Sequence, residues 1–303
     1  MPICFAMGVV GVLVPETKDA ATWLAGVGLL IAAVGLVDDV RGLPAVTRLV
    51  AHVSAGALLV AGIGTWHTFV WPGLWCVDLG WAAVPFTILL VVGLTNAYNF
   101  MDGVDGIAGT QGVVAGLGWI GAGYALQDPL LAVAGAAIGM ASLGFLLFNW
   151  SPASVFMGDV GSSFLGFLLA ALAVFVAPRS PTAATAGVLF VWPFVFDTAF
   201  TFLRRASRRE NLLRAHRSHL YQRLVLTGVS HRTVALLYGG LGTVGVAVGN
   251  AVAREARPAS IAGAFLIGAL AAGLCLGVSW RERAVVASAG PTQNQERASH
   301  EHH

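Results

Sequence analysis

What most constrains this chain is a recurrence of apolar runs along almost all of its 303 residues. Most run near the roughly 17–25 residues that cross a hydrocarbon core. A soluble domain of this size solvates its surface with charge, yet only 11% of these residues are charged and 57% are hydrophobic. With a mean hydropathy of +0.78, the chain is expected to be all-α, a polytopic integral membrane bundle of about ten transmembrane helices. The spans are expected near 2–14, 20–37, 45–64, 82–97, 106–125, 130–148, 161–177, 183–203, 232–251 and 259–279. They form one domain over 1–283, followed by a polar tail, 284–303, expected to be disordered. The small-residue spacings Gly112/Gly116 and Gly135/Gly139 suit close helix packing. Cys4, Cys76 and Cys275 are too few and too scattered for a disulfide framework or a zinc site. The opening MPICFAMGVVGVLVP lacks the basic n-region of a cleavable signal.

Ten spans sort the connecting segments onto two sides. One side, with its flanks, holds Arg41, Arg48, eight arginines from Arg204 to Arg232, and Arg281, Arg283 and Arg297; the other holds Lys18, Arg179, Arg254 and Arg257. Positive charge accumulates in the cytoplasm, so the richer side and both termini are expected there, in a plasma membrane. The same side receives VDDVRG (37–42), NAYNFMDGVDG (96–106), FNWSPASVFMGDVGSS (148–163) and the Arg/His loop 204–231. Four polar patches on one face predict one site at the membrane boundary.

Each patch has an ordinary reading beside a chemical one. Asp38 and Asp39 are either solvated loop acids or a pair whose mutual repulsion calls for a cation. Asn96, Asn99, Asp102 and Asp105 lie three apart around two glycine breaks. They make either a polar helix cap with Asx turns or a set of hard oxygen ligands suited to Mg²⁺ beside a phosphate. Asp159 is either an N-cap or a metal ligand at a helix start that favours anions. Phe156 is either core or a stacking platform. The arginines signal topology or bind phosphate, and His216 and His219 lie about one helical turn apart among them. Asp197, in WPFVFDTAFTF, is an intramembrane acid that either serves the site or pairs with Arg204. The terminal HEHH belongs to the polar tail and carries little weight. Together the residues suit Mg²⁺-dependent chemistry on a phosphate with a lipid substrate.

In their order and combination these motifs closely resemble the polyprenyl-phosphate N-acetylhexosamine-1-phosphate transferase family, from about residue 35 to 225. The matching pieces are Asp38–Asp39, NAYNFMDGVDG, FNWSPASVFMGDVGS and HRSHLYQRL. The resemblance implies attack by a polyprenyl phosphate, such as undecaprenyl phosphate, on the β-phosphate of a UDP-N-acetylhexosamine, with release of UMP. It implies Mg²⁺, with Mn²⁺ as a substitute, held by Asp159 and Asn99. Asp105, Asn149 and Phe156 match uridine-pocket positions. Asp38 or Asp39 matches the group that deprotonates or orients the lipid phosphate; Asp102 lines the same centre. His219 matches a phosphate- or sugar-contacting histidine, with His216 and Arg217 beside it on the substrate side. Partners are then the nucleotide sugar, the lipid and the bilayer, with no nucleic acid and with a homodimer allowed.

Two departures stand out. The family's usual further N-terminal helix and P-x-x-G-G loop have no counterpart here. The histidine loop is nearer to the branch that starts O-antigen or similar surface glycans, whose sugar is GlcNAc or a 6-deoxy-HexNAc. The alternatives are the phospho-MurNAc-pentapeptide translocase and, from another class, a transporter-like membrane protein. A transporter suits the acids on one face and the lack of an inverted repeat less well.

Overall fold

A computed structural model describes residues 18–211 and 217–288. The expected span 2–14 and His216 lie outside these residues. The described chain is helical almost throughout. It runs α1 (Lys18–Arg41), α2 (Ala45–Ile63), β1 (Thr68–Trp71), β2 (Trp75–Asp78), a short 3-10 turn, α3 (Ala83–Met101), α4 (Ile107–Leu126) and α5 (Pro129–Asn149). Then follow α6 (Gly158–Val176), α7 (Pro181–Leu189), α8 (Trp192–Ser207), α9 (Leu220–Leu226), α10 (His231–Ala253) and α11 (Arg257–Ser288). Among these, seven helices are long and apolar enough to cross a membrane, and a bent pair makes up to eight. This is an all-α polytopic membrane protein, in which backbone polar groups are met inside helices because lipid offers no partner.

Helix α6 is the pillar of the bundle: from Ser162 through Val174 every residue is buried. Helices α1, α3 and α7 pack around it. Glycine sets the closest approaches. A Cβ on Gly35 would stand 2.6 Å from the Asp159 carbonyl oxygen, so α1 lies directly on the first turn of α6. Gly116 meets Gly135 and Gly139 backbone to backbone, and a side chain at Gly112 would strike Ser142. Both expected spacings therefore lie in the α4–α5 contact. Its glycines together with Thr110 and Gln111 lower the hydropathy of α4, which is not among the seven apolar helices.

Three expectations change. The span 183–203 is two helices, α7 and α8, meeting at 72°. Pro193 lacks an N–H and sits in the first turn of α8, and the Phe190 carbonyl at the break accepts instead from Gln111 Nε2 at 2.7 Å. The connection 65–81 is an antiparallel hairpin in the register Thr68↔Asp78 to Trp71↔Trp75, turning through Gly73 at φ 70°. Its TFVW and WCVD runs flank a Pro–Gly pair, a strand–turn–strand signal. Third, α11 continues to Ser288, so residues 284–288 are helical rather than tail; residues 289–303 are outside the described chain. The bidentate pair of Arg223 with Glu282, at 2.7 and 2.6 Å, ties this last stretch of α11 to α9.

The hairpin marks one end of the bundle. Thr185 Oγ1 donates to the Val70 carbonyl there, and Arg257 Nε to that of Gly73. The polar motifs gather at the opposite end.

Candidate active site

At that end a cavity of about 290 Å³ opens between the α3–α4 loop, the α5–α6 loop and the start of α6. Asn99, Asp102, Asp105, Asn149, Phe156 and Asp159 all line it, with Gly103, Val104, Gly158 and Ser162. Residues from two separated sequence motifs thus converge on one space.

The local backbone follows from the sequence. Helix α3 ends at Met101, and the chain turns through Gly106 at φ 81°, a left-handed conformation that glycine adopts without strain. The Gly106 N–H donates to Asn149 Oδ1 at 2.9 Å, while Asn149 Nδ2 donates to the Val155 carbonyl at 2.8 Å. One buried amide therefore locks both loops together. Asp105 accepts from the Ala153 N–H, and its Oδ2 lies 3.4 Å from His231 Nδ1 at the start of α10. Arg232 Nε donates to the Ser151 carbonyl at 2.7 Å, bracing the second loop from the same helix. Burial acts to raise Asp105, but the Ala153 N–H, the Ser151 hydroxyl and His231 outweigh it and hold the carboxyl below its ordinary value.

Asp102 is different. It is half-buried, no hydrogen bond among the described residues is donated to its carboxyl, and Asp159 and Asp39 are its electrostatic neighbours. Burial first, then the charges of Asp159 and Asp39, push it up to about 7. Phe156 is 74% exposed at the cavity, so the core reading of that residue does not hold. Asn99 donates to Ser163 Oγ on α6 at 3.0 Å and faces the Asp159 carboxylate. Asn96 serves the scaffold, donating to the Val92 carbonyl and meeting His52 Nδ1 at 3.2 Å.

Asp38 and Asp39 frame the site without lining the cavity. Both Asp39 oxygens are used on the first turn of α6, accepting from the Asp159 and Val160 N–H groups at 2.8 and 3.1 Å. This caps otherwise unpartnered N–H groups at the positive end of the helix. Asp38 is buried, accepts from the Leu43 N–H, and pairs with Arg48 at 3.0 Å. The same Arg48 Nη1 lies 2.9 Å from Asp159 Oδ2. By sequence Arg48 counts among the topology charges; its position in the first turns of α2, just after the acid pair, is the signal that it returns to them.

His219 is buried outside the cavity lining. Its Nδ1 lies 3.2 Å from Asp197 Oδ1, and it is within ring contact of Phe100 and Tyr221. Asp197 does not pair with Arg204, which donates to the Ser218 carbonyl. It accepts instead from the Leu220 and Tyr221 N–H groups, from Thr201 Oγ1 and from Tyr238 Oη. Tyr221 Oη then donates to the Phe100 carbonyl beside the cavity wall. Arg217 is exposed and does not line the cavity. Among the described residues no three His, Cys, Asp or Glu side chains form a metal-binding group.

The chain shares about a third of its residues with known proteins over most of its length. It is 32% identical over 225 residues to the probable undecaprenyl-phosphate N-acetylglucosaminyl 1-phosphate transferase of Bacillus subtilis (strain 168), covering 73% of this chain and 63% of that protein. It is 32% identical over 236 residues to the decaprenyl-phosphate N-acetylglucosaminephosphotransferase of Mycolicibacterium smegmatis, covering 69% and 58%. It is 30% identical over 258 residues to the phospho-N-acetylmuramoyl-pentapeptide-transferase of Chlorobium phaeobacteroides (strain BS1), covering 73% and 70%. The chain thus spans about three fifths of the length of the first two relatives. Glycosyl transferase family 4 matches residues 21–177, the stretch from α1 through α6 that carries every residue lining the cavity. The chain belongs to glycosyl transferase family 4.

Proposed function

We propose that this protein transfers an N-acetylhexosamine 1-phosphate, GlcNAc or a 6-deoxy relative, from a UDP-sugar to a polyprenyl phosphate, releasing UMP. The observation that carries this reading is the cavity at one end of an apolar bundle where Asp102, Asp105, Asp159, Asn99, Asn149 and an exposed Phe156 meet. The names of the relatives support the acceptor and the GlcNAc-type group. The arginine distribution supports a cytoplasmic site.

In this reaction an oxygen of the lipid phosphate attacks the β-phosphorus of the donor. A new P–O bond forms, the bond to the α-phosphate breaks, and its electron pair leaves with UMP. Such transfers demand positioning and charge neutralisation above all. Phe156 presents an open ring on which uracil stacks, with Asp105 at its edge and Asn149 holding the two loops that carry them. Asp102 lines the cavity, and no hydrogen bond among the described residues is donated to its carboxyl, so we assign it the proton of the lipid phosphate. Asp39 is committed to α6; its part is to place Asp159. Asp38 and Arg48 hold that carboxylate from the other side. His219 keeps α9 against the cavity wall rather than touching the phosphates.

The donor set suits Mg²⁺. Crowding of Asp102 by Asp159 and Asp39 is negative charge that a divalent cation relieves, and Mg²⁺ takes few protein oxygens and the rest from water and phosphate. Asp159 and Asn99 would hold it, and when bound it neutralises the diphosphate.

The test is UMP release by purified protein across a panel of UDP-sugars, with polyprenyl phosphate and Mg²⁺ each present or omitted. UMP should appear only with all three, and Asp159→Ala should abolish it. No UMP from any sugar, or full activity in Asp159→Ala, overturns the reading.

A further inference from the structure

Helix α10 has two unlike faces. Ala235, Gly239 and Gly242 lie against the α4 side, where they approach Gly106, Thr110 and Gln111. Leu237 and Leu241 point to the opposite side, as the helical repeat requires. They line a second cavity, about 440 Å³, between α10 and α11. Its walls are almost wholly apolar, with Leu224, Leu270 and Leu274 facing these two leucines. Among the described residues nothing stands within 4 Å of where a Cβ would sit on Gly273 or Gly277, both of which border it.

The rim at one end differs. Trp280, 68% exposed, and Arg281 close the groove where α11 nears α9. Arg281 Nε reaches Thr227 Oγ1 at 3.3 Å. Among the described residues no carboxylate pairs with it, because both oxygens of the adjacent Glu282 go to Arg223. A cation beside an indole, at the end of an open apolar slot on a membrane-crossing helix, complements a lipid: a hydrocarbon chain with an anionic phosphate at its head.

We propose that the α10–α11 groove binds one anionic glycerophospholipid, with an acyl chain along Leu237, Leu241 and Leu274 and its phosphate at Arg281. The occupant is a structural lipid and not the polyprenyl acceptor. Helix α10 packs its other face against α4, and no residue lining the groove also lines the cavity of Asp102 and Asp159. A zwitterionic lipid fits less well, since its ammonium opposes the arginine.

Native mass spectrometry tests this on the full chain extracted from bilayers of equal phosphatidylglycerol and phosphatidylethanolamine. One arginine near the surface is worth about a five-fold preference, so retained phosphatidylglycerol should exceed phosphatidylethanolamine by about that factor. Arg281→Gln should bring the ratio to parity, and Arg281→Lys should keep it. Gly277→Leu, whose side chain enters open space, should lower retention of both lipids. Equal retention by the unaltered protein, a ratio unmoved by Arg281→Gln, or retention of polyprenyl phosphate alone when it is added overturns the proposal. If Gly277→Leu fails to fold, the unaltered protein and Arg281→Gln still decide it.

Discussion

Asp102 and Asp197 are two carboxyls withdrawn from water in opposite ways. Asp197 is fully buried and has donors from three elements: Thr201 of its own helix, His219 with the first N–H groups of α9, and Tyr238 of α10. Asp102 is half-buried with no donor among the described residues, facing two other acids. A carboxylate whose lone pairs are all met has little left to offer a ligand and serves as a joint. One whose lone pairs are unmet, among like charges, is at its most stable with something else in the site. The two regions are also linked. Tyr221 gives its N–H to Asp197 and its hydroxyl to the Phe100 carbonyl, and it fills the space a side chain on Gly103 would need. The closed node braces the open one.

This contrast breaks if the two acids respond alike to mutation. Asp197→Ala strands several buried donors and should cost about 3–5 kcal/mol, seen as a large drop in thermal midpoint or loss of folded protein in detergent. An unchanged midpoint would remove its role as a joint. Asp102→Asn should do the reverse, cutting turnover by roughly 10²–10⁴-fold while the midpoint holds or rises, because a repelled charge is gone. A stability loss like that of Asp197→Ala would mean the open site is not open.

The pH dependence sharpens the same point. The folded-state value of Asp102 is raised from 3.8 to about 7, so its contribution to stability is fully present below about 4. It is lost as pH rises through about 7. The metal-free protein should therefore lose thermal stability across that window, and Asp102→Asn should flatten the slope.

Smaller effects follow. Phe156→Leu should raise KM for the nucleotide sugar by roughly ten-fold, a stacking loss within the usual 1–3 kcal/mol per base, without moving the thermal midpoint, since the ring is exposed. Tyr221→Phe removes the bond to the Phe100 carbonyl and the one accepted from Gln222 Nε2, together worth about 1–2 kcal/mol. It should lower kcat slightly and leave the pH profile of Asp102 in place; a displaced profile would place Tyr221 in the chemistry itself.

Much of this was legible in the residues. Apolar length and sparse charge located the membrane helices, since each span is a local property of its own sequence. The cavity residues were legible because polar groups are costly beside lipid and so mark where they are used. Other features were not. Arg48 looked like a topology charge, since nothing local says that α2 returns it to Asp38 and Asp159. The break before Pro193 was masked by continuous hydropathy, and its cost is met by Gln111, 79 residues earlier. Asp39 read as a reactive acid, whereas both its oxygens are spent on backbone that only the α1–α6 contact brings near.

By itself, then, the sequence determined that the chain is a helical membrane protein and that acids, amides and an aromatic from separate motifs would gather at one end. The tertiary structure decided how those acids divide. Asp39 caps a helix and Asp197 ties three elements; Asp105 is held in its ionised form, and Asp102 is left unmet. The reason is that a carboxyl's chemistry depends on its burial and on the donors and charges within a few ångströms. Those neighbours come from helices far apart in the chain.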